Sequence, residues 1–247
     1  MNDVLMANTI YRLRNKLLKS PETSRSRNKR SLGVHSTFWR AGQTLRISFL
    51  GAPSPWLKQA IIQSACLWLD YAYLSFELVD DNDPRADIRI QTDGPESVNY
   101  STLGNDALTV DGASMVLGVK TSDPLFQAIV LHEFGHALGM DHEHQHPDAD
   151  IPWDLDALRE VLAETLIEET DDQNDLQAAI EAELATQFLP EPANADQLIL
   201  PYDRKSIMHY RVNQAHTLGN WETKQNLKIS KKDQRFMRLV YPRPRQT

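Results

Sequence analysis

Val4, Leu5, Ile10, Leu13, Leu17 and Leu18 recur near helical spacing with Arg12, Arg14, Lys16 and Lys19 between them, which predicts a short basic amphipathic helix over residues 4–19. Residues 21–31, PETSRSRNKRS, contain no apolar position and read as a linker. Beyond it the period changes. Leu45, Ile47 and Phe49 alternate with Arg46 and Ser48, a strand over 45–50, and Pro55 can start a helix that runs to about Tyr73. Strands follow at 74–80 and 87–91, with shorter candidates at 98–102 and 114–119. Ser122, Asp123 and Pro124 are expected to cap a helix over 125–139. Acidic helices rich in Leu and Ala are predicted at 154–169 and 173–188, and a last helix at 230–240 is closed by Pro242. The order of elements is that of an α+β body, residues 35–247, preceded by a segment of different character, residues 1–34.

Charge sharpens that division. Residues 1–34 hold eight Lys/Arg against Asp3 and Glu22, a local +6, whereas the whole chain is −8 and the body therefore −14. An acidic body argues against a nucleic-acid partner. No apolar run is long enough to span a bilayer. The first twenty residues lack the uninterrupted apolar stretch of a secretory signal, so the expected location is cytoplasmic or, after a leaderless route, extracellular. The single cysteine, Cys66, excludes a disulfide framework, sits in an apolar pattern and reads as a core residue. Histidine must then carry any transition-metal chemistry.

Residues 131–142, LHEFGHALGMDH, supply it. His132 and His136 lie four apart on a predicted helix, so both imidazoles project from one face and can reach one ion. Gly139 falls where a left-handed residue ends the helix and turns the chain, bringing His142 round as third ligand. Three protein ligands leave the fourth position of one Zn²⁺ open, the arrangement of a catalytic site, and Glu133 next to the first ligand is placed to act as general base. His144, His146 and His209 are not needed as ligands and read as neighbours of the site. Asp80 to Asp83 and Asp148 to Asp150 lack the spacing of an EF-hand and read as solvated loops.

The body resembles the metzincin clan of zinc peptidases and, within it, the astacin family. The resemblance rests on residues 132–144, HEFGHALGMDHEH, where Glu143 follows the third ligand directly, and on Ser206 to Tyr210, SIMHY, which looks like the family's Met-turn. It implies a twisted mixed N-terminal sheet with a backing helix and an active-site helix, then a mainly helical and irregular C-terminal half. It further implies that Met208 forms an apolar floor beneath the metal and that the Tyr210 hydroxyl reaches the developing oxyanion. The substrate is expected to be a protein or peptide lying along an edge strand, assigned to 114–119, and the chain is expected to act as a monomer.

The resemblance also gives residues 1–30 the role of a removable pro-segment. Cleavage after Lys29 and Arg30 would leave Ser31 to be buried against Glu143. A permanent accessory extension is the other reading. The sequence departs from the family at 145–148, Gln-His-Pro-Asp, in its lone cysteine and in the length of the acidic helices. Two rivals to a zinc endopeptidase remain: a hydrolase of a non-protein amide, and a zinc-binding protein of weak or no activity.

Overall fold

The computed structural model describes residues 5, 6, 8–11, 13, 33–167, 172–190 and 195–244. Its five-stranded sheet has the order β2-β1-β3-β5-β4, built from β1 (Thr44–Phe49), β2 (Ser75–Leu78), β3 (Ile88–Gln91), β4 (Asn99–Ser101) and β5 (Met115–Leu117). β1 pairs parallel with β2 and β3, β3 parallel with β5, and β4 antiparallel with β5. The strand expected at 114–119 is thus internal, and the edge assigned to it belongs to β4. The hydrophobicity of Met115, Val116 and Leu117, all buried, fits the inner position.

Helix α1 (Pro55–Ala65) backs the sheet; Ser54 caps it and Pro55 occupies its first turn. It ends earlier than predicted, because residues Cys66–Asp70 tighten into a 3₁₀ turn. Cys66 is half-buried there rather than a core residue. The active-site helix α2 (Phe126–Ala137) begins without a side-chain cap on its N-cap residue, Leu125. Asp123 instead accepts from the Leu125 amide at 2.7 Å, one step outside the helix. Helices α3 (Leu155–Leu166) and α4 (Gln173–Gln187) are capped by Asp154 and Asp172, and α5 (Lys231–Val240) by a capping box of Ser230 and Asp233. No helix among the described residues is long and apolar enough to cross a membrane.

Two apolar cores result. The first joins the sheet to α1, α2 and α5 through residues such as Ile47, Phe49, Trp68, Phe134 and Phe236. The second lies between α3 and α4, around Leu158, Leu162, Ile180 and Phe188, and takes in Tyr210. It also takes in Leu5, Met6 and Leu13. The described residues of the predicted N-terminal helix are helical; the rest of that helix and the linker at 21–31 fall outside the described residues.

Arg89 on β3 joins the sheet to the loops that precede β5. Buried to 5% exposure, its guanidinium donates to the carbonyls of Ala86, Ala107, Val110 and Gly112 at 2.5–2.9 Å. Arg89→Leu strips these carbonyls of their donor, and the expected loss is about 2–4 kcal/mol in urea unfolding, with Arg89→Lys recovering only part of it. A loss below about 1 kcal/mol would mean that these carbonyls are satisfied without the guanidinium.

Candidate metal centre

The centre is assembled from the last turns of α2, the chain reversal after it and a loop from the C-terminal half. His132 and His136 share one face of α2. Gly139 then adopts φ +88°, its amide bonds His136 O at 2.8 Å, and the Met140 amide bonds Gly135 O at 2.9 Å. This is a Schellman ending, and it delivers His142 back to the two helical histidines. A side chain at Gly139 would meet Phe38 at 2.6 Å, so both the conformation and the space call for glycine. Aromatic donors hold the surrounding helix end: Trp39 Nε1 bonds Ala137 O at 2.7 Å, and the Tyr241 hydroxyl bonds Leu138 O at 2.9 Å.

The ligand atoms available on His132, His136 and His142 lie within 4.8 Å of one another, the one such cluster among the described residues. His132 donates from Nδ1 to Ile207 O at 2.9 Å and His136 from Nδ1 to Met140 O at 2.7 Å, which turns both Nε2 atoms into the cluster. His136 Nε2 and His142 Nε2 are 2.9 Å apart. Buried His132 Nε2 has no hydrogen-bond partner. Burial lowers the His132 pKa to about 4, keeping the imidazole neutral. Convergent imidazole nitrogens with one orphaned lone pair are what zinc requires, so the residues fit the metal.

The loop Ser206 to Tyr210 closes the centre from below. Met208 is fully buried, and its Sδ would meet a Cβ added at Gly135 at 2.3 Å, so glycine in the middle of α2 makes room for it. The Met208 carbonyl accepts from the Glu143 amide at 3.1 Å. The Tyr210 ring packs 4.9 Å from His132 and 4.6 Å from His142, centroid to centroid. Glu133 is 1% exposed, beside the first ligand.

The other histidines do structural work. His144 bonds Gln187 O at 2.7 Å and His146 bonds Leu200 O at 2.7 Å. His209 donates from Nδ1 to Tyr210 O at 2.7 Å and accepts the Tyr202 hydroxyl at 2.8 Å. Burial brings the pKa of His144 to about 3 and of His209 to about 4. Glu143, buried and accepting from the Asp203 amide at 2.6 Å, is pushed up to about 9, chiefly by desolvation. Of the acidic groups read as loops, Asp83 pairs with Arg46 and Arg85, and Asp81 with Lys58.

Two contributors escaped the sequence reading. Asp233 sits in the first turn of α5, yet its carboxylate accepts from Ser206 Oγ at 2.6 Å and the Ile207 amide at 2.9 Å, gripping the residue whose carbonyl orients His132. Only its place in the last predicted helix, 230–240, was legible. Asn8, from the N-terminal segment, lies beside Tyr210 with Nδ2 3.5 Å from the hydroxyl. Nothing in its local sequence signals that.

The fold and the three-histidine centre are those of a metzincin-type zinc peptidase. The chain is similar over its length to solved structures of myroilysin. One shares 30% identity at a TM-score of 0.72, covering 87% of this chain and 100% of that one; a second shares 31% at 0.61, covering 84% and 87%. It also shares the fold of high choriolytic enzyme 1, a hatching enzyme zinc-protease of the medaka fish Oryzias latipes, at 19% identity and a TM-score of 0.53, over 90% of this chain and 98% of that one. No protein-family model matches the sequence, and a search of curated proteins returns no match. The chain belongs to the astacin family of zinc metallopeptidases.

Asp233 therefore has a measurable consequence at the metal. Asp233→Ala frees the Ile207 peptide, and zinc affinity in a chelator competition should fall about tenfold. An unchanged affinity would show that the His132 ring is held without it.

Proposed function

We propose that this zinc-dependent endopeptidase cuts protein chains with Glu133 as general base and Tyr210 as oxyanion donor. The observation that carries this is that one chain brings three convergent imidazoles together, with Glu133 next to the first ligand and the Tyr210 ring packed on two of them, which also supports action as a monomer. Zinc held by His132, His136 and His142 supplies Lewis acidity toward the scissile carbonyl and an acidified water.

The chain's own residues do the rest. Glu133 takes the proton of the attacking water and passes it to the leaving amine. Tyr210 is fixed at its backbone by His209 and at its ring by the two imidazoles, so the ring is held against the ligands. From there it donates to the oxyanion as the carbonyl becomes tetrahedral, a contact that strengthens only in the transition state. An extended substrate adds to the β4 edge of the sheet, whose outward-facing backbone groups hold it in register.

Casein cleavage that a chelator abolishes and zinc restores separates this reading from both rivals, a non-protein amidase and an inert zinc-binding protein. In the same assay Tyr210→Phe should lower kcat by about 10²-fold with KM little changed. A rise in KM alone would reduce Tyr210 to a wall of the pocket.

A further inference from the structure

The Tyr210 carbonyl is held from two sides. The His209 ring, on the preceding residue, reaches forward to it from Nδ1 at 2.7 Å, and Thr223 Oγ1 donates to it at 3.1 Å. Thr223 is itself fixed: its hydroxyl accepts from the Val212 amide at 2.9 Å, and its own amide donates to Val212 O at 3.0 Å. The peptide that follows Tyr210 therefore has a set plane, and with it a set direction from which the ring leaves toward His132 and His142.

One of these two bonds depends on where a proton sits. A carbonyl oxygen only accepts, so the His209 bond exists only in the tautomer that carries its proton on Nδ1. In the other tautomer two lone pairs would face each other. His209 is fully buried, and desolvation lowers its pKa to about 4, so the ring is neutral and has one proton to place. The Tyr202 hydroxyl meets the opposite nitrogen, Nε2, at 2.8 Å. Burial pushes that hydroxyl up to about 12, so it keeps a proton to donate. With Nε2 accepting, the ring proton belongs on Nδ1, where the Tyr210 carbonyl needs it.

Tyr202 is placed by parts that also place the ligands. Its carbonyl accepts from Lys232 Nζ of α5 at 2.7 Å, and the next amide, that of Asp203, donates to Glu143 at 2.6 Å, beside the third ligand. Its ring lies 5.7 Å from those of His146 and His209, centroid to centroid.

We propose that Tyr202 is a positioning residue for peptide hydrolysis: its hydroxyl holds His209 in the one tautomer that grips the Tyr210 carbonyl, and so keeps the Tyr210 ring set for the oxyanion. This rests on the reading of Tyr210 as oxyanion donor. A donor fixed before the reaction needs no rearrangement as the carbonyl becomes tetrahedral.

The test uses the zinc-loaded full chain in three variants: Tyr202→Phe, Tyr210→Phe and both together. Casein kinetics, zinc content and nitrogen-15 spectra of labelled histidines are measured. Phenylalanine keeps the half-buried ring of Tyr202 and removes only the hydroxyl, so the zinc content should not change. In Tyr202→Phe kcat should fall about fivefold with KM unchanged, the factor that one ordinary hydrogen bond is worth. The His209 nitrogens should shift toward the tautomer protonated on Nε2. The double variant should match Tyr210→Phe, because no hydroxyl is left to position. Wild-type kcat or a rise in KM alone in Tyr202→Phe overturns the proposal, and so does an unshifted His209 tautomer. A double variant whose loss is the product of the two single losses overturns it as well, since that is what a merely structural role gives. Wild-type kcat in Tyr210→Phe, with the His209 tautomer still shifted in Tyr202→Phe, keeps the tautomer lock and refutes the oxyanion reading instead.

Discussion

Three imidazoles buried side by side are tolerable only if each presents a lone pair to the same point and spends its other nitrogen on a fixed partner, because an unpaired polar atom in that position costs about 1–3 kcal/mol. Much of the body is arranged around that requirement. The Schellman ending of α2 turns Met140 so that its carbonyl meets His136, and it brings His142 into reach in the same movement. The loop at 206–210 supplies the Ile207 carbonyl for His132, and Asp233 at the head of α5 holds that loop by two bonds. The ligand set is therefore coupled to the C-terminal helix, and both halves of the chain are needed to make it.

The second core couples the site to the other end of the chain. Tyr210 borders both the ligands and the α3–α4 pair, and the N-terminal residues pack on that pair. The two helices are joined by a bidentate contact in which Arg159 donates to Glu181 at 2.7 and 3.1 Å. His144 and Gln145 tie their far end to the chain just beyond His142 through Gln187 O and Thr186 O. The acidic helices thus serve as a platform, with Tyr210 at its border and the described N-terminal residues Leu5, Met6 and Leu13 packed in the same core.

The sequence revealed most where a local rule acts alone. The ligand spacing, the glycine that ends α2 and the proline that opens α1 depend on contacts within a turn or two, and each was legible. β5 was recognisable as a strand from Met115 to Leu117, but its neighbours were not, so the edge was assigned to the wrong strand. Pairing order depends on residues far apart in the chain, and alternation within one strand carries no record of it. Asp233 and Asn8 escaped for the same reason. One works across 26 positions to Ile207 and the other across 91 to Asn99.

The central claim is that the three histidines hold the metal and Glu133 does chemistry without holding it. Zinc content measured by plasma mass spectrometry on purified Glu133→Ala and His136→Ala, beside their turnover of casein, tests it most directly. The account predicts about one zinc per chain in Glu133→Ala with turnover down by several orders of magnitude, and little or no zinc in His136→Ala. A metal-free Glu133→Ala, or one that cleaves at the wild-type rate, would contradict it.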